Sequence, residues 1–324
     1  MRAIVCPQLG GPQGLELRDL PDPEVAGGEV ALRVRAAGVN FADTLMIEGR
    51  YQERAIPPFV PGLEVAGEIE SIGSAVSGLT VGQRALALLD RGGFAERAIA
   101  AEADVVPLPD DIDDVTAAGF AIAYGTAYGA LIWRAALRPG ESLLVHGAAG
   151  GVGITAVECG KALGARVIAT ARGAERAAVA LDHGADHALD SEDPALVDRI
   201  RELAGPNGVD VVFDPVGGVM FDASLRSIGW EGRIVLVGFA SGVVPQIPAN
   251  RLLVKNAAAL GFYWGSYRRR DPARLRAAFT TLFAWHRDGL IRPHVGTRLP
   301  LAEAPRALAM LLGRTATGKI VLLA

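Results

Sequence analysis

Cysteine is almost missing from this 324-residue chain, which carries only Cys6 and Cys159. That excludes a disulfide framework and a thiolate metal cage, and it suits a reducing compartment. Both thiols are expected to be small buried hydrophobes. Long apolar runs are missing too: no uninterrupted stretch of about 18 apolar residues occurs, and no basic segment followed by an apolar one opens the chain. The expectation is a cytoplasmic protein with no membrane span. A strong charge of either sign is also lacking. The formal net charge of −4 gives nucleic acid or an anionic membrane no general attraction, so neither is expected as a partner. The one basic cluster, Arg268–Arg270 with Arg274 and Arg276, reads as a solvated helix face.

What is present is apolar mass. Half of the residues are hydrophobic and 40 are glycine, which is ordinary for an α/β enzyme, and the length exceeds what one core usually organises. Two domains are expected, with a change of pattern near residue 115. Before it, β segments at 3–6, 29–36, 62–72, 84–87 and 95–101 are broken by Gly10-Gly-Pro12, Gly27-Gly28 and Gly92-Gly93, as in a partly open β barrel. After it, helices at 115–123 and 126–136 precede β segments at 142–146, 166–170, 187–189, 209–213 and 232–237, with helical segments between. That alternation marks a doubly wound parallel sheet covered on both faces. Beyond Leu260 come a helix (272–288), a segment at 293–299, a helix (301–312) and a closing strand (318–323). These are too few to fold alone and are assigned to the first domain. It then becomes discontinuous, 1–120 plus 263–324, with 121–262 inserted.

The most telling stretch is Ser142-Leu-Leu-Val-His-Gly-Ala-Ala-Gly-Gly-Val-Gly153. A buried strand runs into packed glycines and then a helix, 154–163, with Gly164 just past its end. Gly150, Gly151 and Gly153 permit a tight turn with no Cβ in the way. The free N–H groups of the helix start, over Ala149, Gly150, Gly151, Val152 and Gly153, then face a bound pyrophosphate. Glycine turns also occur without ligands, and the tight-turn position holds Ala148 after Gly147, which departs from the strict pattern. The order of strand, turn, capped helix and second strand is what points to a dinucleotide.

That second strand, 165–170, ends where such folds place the residue that meets the adenosine ribose. An acidic side chain there would bind the 2′-hydroxyl of NAD. This chain has Ala169-Thr170-Ala171-Arg172 instead, with Arg176 a helical turn later and Glu175 diluting their field. Guanidinium groups suit a 2′-phosphate, so NADP(H) is expected over NAD(H).

Several motifs together resemble one known family over the whole chain. They are Gly38-Val-Asn40-Phe-Ala-Asp43-Thr, Pro61-Gly-Leu-Glu64-Val-Ala-Gly-Glu68, Val81-Gly-Gln-Arg84, Tyr124-Gly-Thr126-Ala-Tyr128, the stretch 146–153, Asp214-Pro-Val-Gly217-Gly, Val237-Gly238 and Gly318-Lys319-Ile-Val-Leu322. The family is the medium-chain dehydrogenase/reductases, within them the zinc-free quinone oxidoreductase branch that includes zeta-crystallin. The resemblance implies a Rossmann-type domain inserted into a GroES-like barrel domain. It implies that catalytic zinc is absent, because the places of the Cys and His ligands carry Asn40 and Leu63, and Glu64 alone cannot hold the metal. The five histidines show no ligand spacing, and His183 and His187 are expected at the surface.

The resemblance also implies a site. Asn40 lies beside the nicotinamide, and Tyr51 lines the acceptor pocket as donor of a hydrogen bond or proton; these two are the catalytic candidates. Leu45 stands where many relatives have an aromatic, which leaves the acceptor's size open. Thr126 is placed near the nicotinamide and pyrophosphate, Val237, Gly238 and Phe239 behind the ring, and Arg314 and Lys319 at the carboxy-terminal edge. Ser191 is placed near the 2′-phosphate, with Thr170, Arg172 and Arg176. Ordinary alternatives stand beside these: a turn residue for Asn40, a half-exposed aromatic for Tyr51, an N-cap for Thr126, surface charges for Arg314 and Lys319. Asp43 reads as a helix cap rather than a general base.

Without a metal to polarise a carbonyl, quinones and conjugated enones accept hydride more readily than simple ketones do. The expected reaction is reduction of a quinone by NADPH, held in a dry cleft with donors near the developing oxyanion. Two alternatives stay open: reduction of the double bond of an α,β-unsaturated carbonyl, and a non-enzymatic NADPH-binding, structural or RNA-binding role. The apolar run Ala257–Trp264 fits an unpaired sheet edge through which two copies form a homodimer.

Overall fold

The computed structural model describes all residues, Met1–Ala324. The chain forms two compact units, Met1–Ile122 with Arg268–Phe279 and Pro293–Ala324, and Ala123–Tyr267 with Thr280–Arg292.

In the first unit, β1 (Arg2–Val5) pairs antiparallel with β2 (Glu16–Asp19). The long strand β3 (Glu29–Val39) is the axis of the larger sheet. Val30, Leu32 and Val34 are buried while Arg33 and Arg35 face solvent, the alternation expected of a strand with one wet face. Helix α1 (Phe41–Ile47) follows it, and β4 (Glu64–Ile72) returns antiparallel along it. Next, β5 (Arg84–Leu88) pairs with β4, β6 (Arg97–Ala101) with β3, and β7 (Val105–Pro107) with β5. Helix α2 (Asp114–Ala118) starts on Asp113, whose carboxylate accepts the Thr116 N–H at 2.8 Å.

The second unit takes up the chain within α3 (Ala121–Tyr128), which passes into a π-helical turn, Gly129–Arg134. Strands and helices then alternate: β8 (Ser142–His146), α4 (Gly151–Ala162), β9 (Arg166–Ala171), α5 (Gly173–Asp182), β10 (His187–Asp190), α6 (Leu196–Ala204), β11 (Val209–Asp214), α7 (Val219–Ser227), β12 (Ile228–Leu236), α8 (Ala249–Leu253) and β13 (Ala258–Gly261). The strands are all parallel, in the order β10-β9-β8-β11-β12-β13. The order reverses between β8 and β11, so the crevice outside their carboxyl ends is the place for a ligand.

The chain closes with α9 (Tyr267–Arg270), α10 (Pro272–Arg287), β14 (Val295–Pro300), α11 (Ala304–Leu312) and β15 (Lys319–Leu323). Strand β15 pairs antiparallel with β3, Ile320 opposite Val39, and β14 runs parallel to β15. The last strand thereby completes the sheet that the first strands began and sets Lys319 beside the end of β3.

Several expectations are corrected here. Gly119 and Phe120 interrupt the helix expected at 115–123, and the next helix begins at Ala121, so Thr126 lies inside α3 and is no N-cap. Residues 263–267 and 280–292 belong to the second unit because their aromatics pack there. Trp133 meets Trp264 at 5.7 Å and Tyr267 at 4.8 Å between ring centroids, and Tyr128 meets Trp285 at 5.6 Å. Gly125 and Gly129 leave room for this cluster, since a Cβ on either would run into Trp264 or Phe262. The apolar run 257–264 is likewise not all sheet edge: only Ala258–Gly261 is strand, and Phe262 and Trp264 are buried. Arg268 is no solvated charge, being largely buried with hydrogen bonds to both Asp104 oxygens (3.0 and 2.5 Å) and to Asp90. No helix is long and apolar enough to cross a membrane.

Candidate active site

The turn after β8 is built by glycines whose roles differ. Gly147 takes a positive φ of 61°, a conformation costly for residues with a Cβ. Gly150 is the residue before α4, in extended conformation. Gly153 sits in the first helical turn, where a Cβ would lie 2.7 Å from the Gly147 carbonyl carbon and closer still to its oxygen. The helix start is thus pressed onto the end of β8, with the N–H groups of its first turn lacking intrahelical acceptors. Those groups and the helix dipole make an anion site.

The carboxyl ends of the neighbouring strands gather the other candidates of this unit. Arg172 and Arg176 stand at the start of α5, directly after β9, and Ser191 follows β10 with its N–H on the Ala171 carbonyl at 2.9 Å. Arg172, Arg176 and Ser191 are therefore brought together. Glu192, which the sequence reading missed, forms an ion pair with Arg172 at 3.0 Å. Both partners are exposed, and such a pair is weak enough to give way to a phosphate. Thr170 is fully buried, and its hydroxyl bonds His146 Nδ1 at 2.8 Å. His146 also bonds the Ser224 hydroxyl at 2.9 Å, and burial pushes its pKa down, which keeps it neutral. On the far side of β8, Val237, Gly238 and Phe239 follow β12 and pack on the turn after β11. Asp214 shapes that turn by accepting the Val216 and Gly217 N–H groups at 2.8 and 2.9 Å.

A second buried network braces this unit. Glu158, inside α4, accepts hydrogen bonds from the Tyr124 hydroxyl and from the Arg292 N–H at 3.1 Å, and pairs with His183 Nδ1 at 2.6 Å. His183 is therefore not a surface residue. Burial, with Glu158 beside it, holds the Tyr124 phenol well above its ordinary pKa. The clue in the sequence is a carboxylate on the apolar stripe of a helix, between Val157 and Cys159.

The first unit holds the other candidates. Asn40, at the end of β3, donates Nδ2 to Glu64 Oε1 at 2.9 Å and to the Gly38 carbonyl at 3.3 Å, and its Oδ1 accepts Lys319 Nζ at 2.7 Å. Lys319 Nζ also donates to Glu64 Oε1 (2.8 Å) and to the Val39 carbonyl (3.0 Å). The other Glu64 oxygen accepts the Ile122 N–H at 2.8 Å. Lys319 is only 6% exposed, so it is no surface charge, and its three N–H donors are all used within the protein. Asp43, fully buried, accepts the Asn40 N–H at 2.7 Å, and its other oxygen has no hydrogen bond. It is the expected cap. Burial pushes its carboxyl up to about 7, against the pull of the Asn40 N–H and the Lys319 charge.

Tyr51 is half-buried against the core of this unit, and its N–H bonds the Leu45 carbonyl, which puts Leu45 and Tyr51 side by side. Arg314 is exposed, with a φ of 53°. No group of three His, Cys, Asp or Glu side chains is arranged to hold a metal. Zinc does not fit the Asn40 cluster, which offers one carboxylate already held by an ammonium and no imidazole or thiolate.

Two family models match the chain: the alcohol dehydrogenase GroES-like domain over residues 26–110 and the zinc-binding dehydrogenase over 151–282. A quinone oxidoreductase-like protein 2 homolog of Nematostella vectensis is 38% identical, covering 99% of this chain and 88% of that one. The quinone oxidoreductase of Homo sapiens is 33% identical over 100% and 98%. Among solved structures, the Escherichia coli quinone oxidoreductase complexed with NADPH has a TM-score of 0.93 at 29% identity, covering all of both chains. The quinone oxidoreductase of Thermus thermophilus, solved also as its NADPH complex, has a TM-score of 0.86 at 39%, again over both whole chains. With the barrel-type sheet, the glycine turn at the switch point and the Asn40 cluster in place, the chain belongs to the quinone oxidoreductase family of the medium-chain dehydrogenase/reductase oxidoreductases.

Proposed function

We propose that the protein is a zinc-independent oxidoreductase that reduces quinones with NADPH. The observation that carries this is the shared sheet edge: a glycine turn that leaves no room for a Cβ at residue 153, followed at the next two strands by Arg172, Arg176 and Ser191. The NADPH complexes of the E. coli and T. thermophilus relatives support the cofactor. In this reading the first-turn N–H groups of α4 bind the pyrophosphate, and the two arginines with Ser191 bind the 2′-phosphate. Thr126, Val237, Gly238 and Phe239 line the nicotinamide side, Asn40 orients the nicotinamide, and Tyr51 and Leu45 face the acceptor, while Arg314 serves the carboxy-terminal edge. Bound NADPH supplies the hydride; the protein supplies orientation and exclusion of water.

Absorbance loss of NADPH with a panel of quinones and enals tests the reaction, with turnover of quinones expected. Turnover confined to enals would assign the double-bond reaction instead. Tight NADPH binding without any turnover would favour a binding role. For the ribose end, Arg172→Ala with Arg176→Ala is expected to weaken NADPH by about 1–3 kcal/mol while leaving NADH nearly unchanged. Titration of both cofactors checks it, and equal losses would remove the 2′-phosphate assignment.

We also propose a homodimer through the open edge of β13. Exposed Leu253 and Val254, just before that strand, extend its apolar surface. Sedimentation at micromolar concentration should give twice the chain mass, and a monomer there would exclude the contact.

A further inference from the structure

Glu64 and Lys319 fix which end of the Asn40 amide is available. A carboxylate only accepts hydrogen bonds and an ammonium only donates them. With Glu64 Oε1 at 2.9 Å from Nδ2 and Lys319 Nζ at 2.7 Å from Oδ1, the amide has one permitted orientation. Turning it over would set donor against donor and acceptor against acceptor inside a cluster whose members are all 7% exposed or less. Both Nδ2 hydrogens are then spent, on Glu64 and on the Gly38 carbonyl. The capacity that remains on Asn40 is a lone pair of Oδ1.

We propose that Asn40 meets its ligand as a hydrogen-bond acceptor, held so by Glu64 and Lys319 as positioning residues. This rests on the reading of Asn40 as the residue that orients the nicotinamide. It would receive an N–H or O–H of the cofactor, such as that of the carboxamide, and would not donate to a developing oxyanion on the acceptor. Any such donor must come from another group, Tyr51 being the candidate.

Lys319→Met alone strands a buried carboxylate and is expected to fold poorly. Glu64→Gln with Lys319→Met removes both charges and keeps a carbonyl for the Ile122 N–H, while the new amide NH2 turns toward Asn40. The double variant is therefore expected to melt within a few degrees of the parent. Its kcat should fall roughly ten- to hundredfold, as for a misplaced positioning group, with NADPH affinity changed less than about threefold. The protein without cofactor offers a direct readout. The chain has four asparagines, so selective 15N-asparagine labelling resolves the Asn40 side chain. Its NH2 protons should exchange slowly in the parent and rapidly in the double variant. Adding Asn40→Ala to the double variant should cost little more turnover than either change alone.

Parent-like kcat in the double variant, or losses that add fully, overturns the proposal, as does equally rapid NH2 exchange in both proteins. Weakened NADPH binding with unchanged kcat also overturns it and makes Lys319 a direct cofactor contact. If Asn40→Ala alone leaves turnover intact, the reading of Asn40 itself fails, whereas slow exchange in the parent would still establish the lock.

Discussion

Gly153→Ala is expected to cost about 3 kcal/mol of stability and at least tenfold in NADPH affinity. The added Cβ meets backbone only: the Gly147 carbonyl and, at 2.8 Å, the Ala148 Cα. No side chain can rotate away, so α4 must retreat from β8, and its first-turn N–H groups lose the convergence that holds a pyrophosphate. Gly150→Ala is the control. Its Cβ would stand 3.4 Å from the Gly147 oxygen, its φ is −84°, and an ordinary residue fits. It should melt like the parent, so any loss of NADPH binding there reports close approach of the ligand to residue 150. Thermal melting and cofactor titration of both variants check this. Parent-like melting and binding for Gly153→Ala would show that the close contact is not what shapes the turn.

That turn was legible in the sequence because it is local: strand, glycines and helix follow one another within a dozen residues. The same holds for Arg172, placed by counting one strand–helix–strand unit, and for the parallel strands, whose continuous apolar runs reflect burial on both faces. What stayed hidden depends on distant pairing. Lys319 lies 255 residues from Glu64, and only the antiparallel register of β15 on β3 makes them partners. His183 read as a surface residue because it follows a helix and precedes Gly184; the carboxylate that buries it belongs to a different helix. The exposed strand Glu16–Asp19 has no apolar alternation to betray it. Phe262 and Trp264 looked like edge residues because periodicity cannot show that Trp133, more than a hundred residues earlier, meets Phe262 edge-on and stacks on Trp264.

Asp43→Asn should change how stability depends on pH. The Asp43 carboxyl has a pKa of about 7 in the folded protein against 3.8 for the free group. Between those values the folded chain binds a proton that the unfolded chain releases, so stability falls as pH rises. The contribution is fully present below about pH 4 and lost once pH passes about 7, with a slope of at most about 1.4 kcal/mol per pH unit between. Asparagine keeps an oxygen for the Asn40 N–H and cannot ionise, so the variant lacks this slope. Relative to Asp43→Asn, the parent should lose roughly 2 kcal/mol between pH 5.5 and 7 and little more above pH 8. All four tryptophans, at 133, 230, 264 and 285, lie in the second unit, so their fluorescence does not report this region. Denaturant unfolding followed by far-ultraviolet circular dichroism at several pH values does, and parallel stability curves for parent and variant would show that Asp43 is ionised across the whole range.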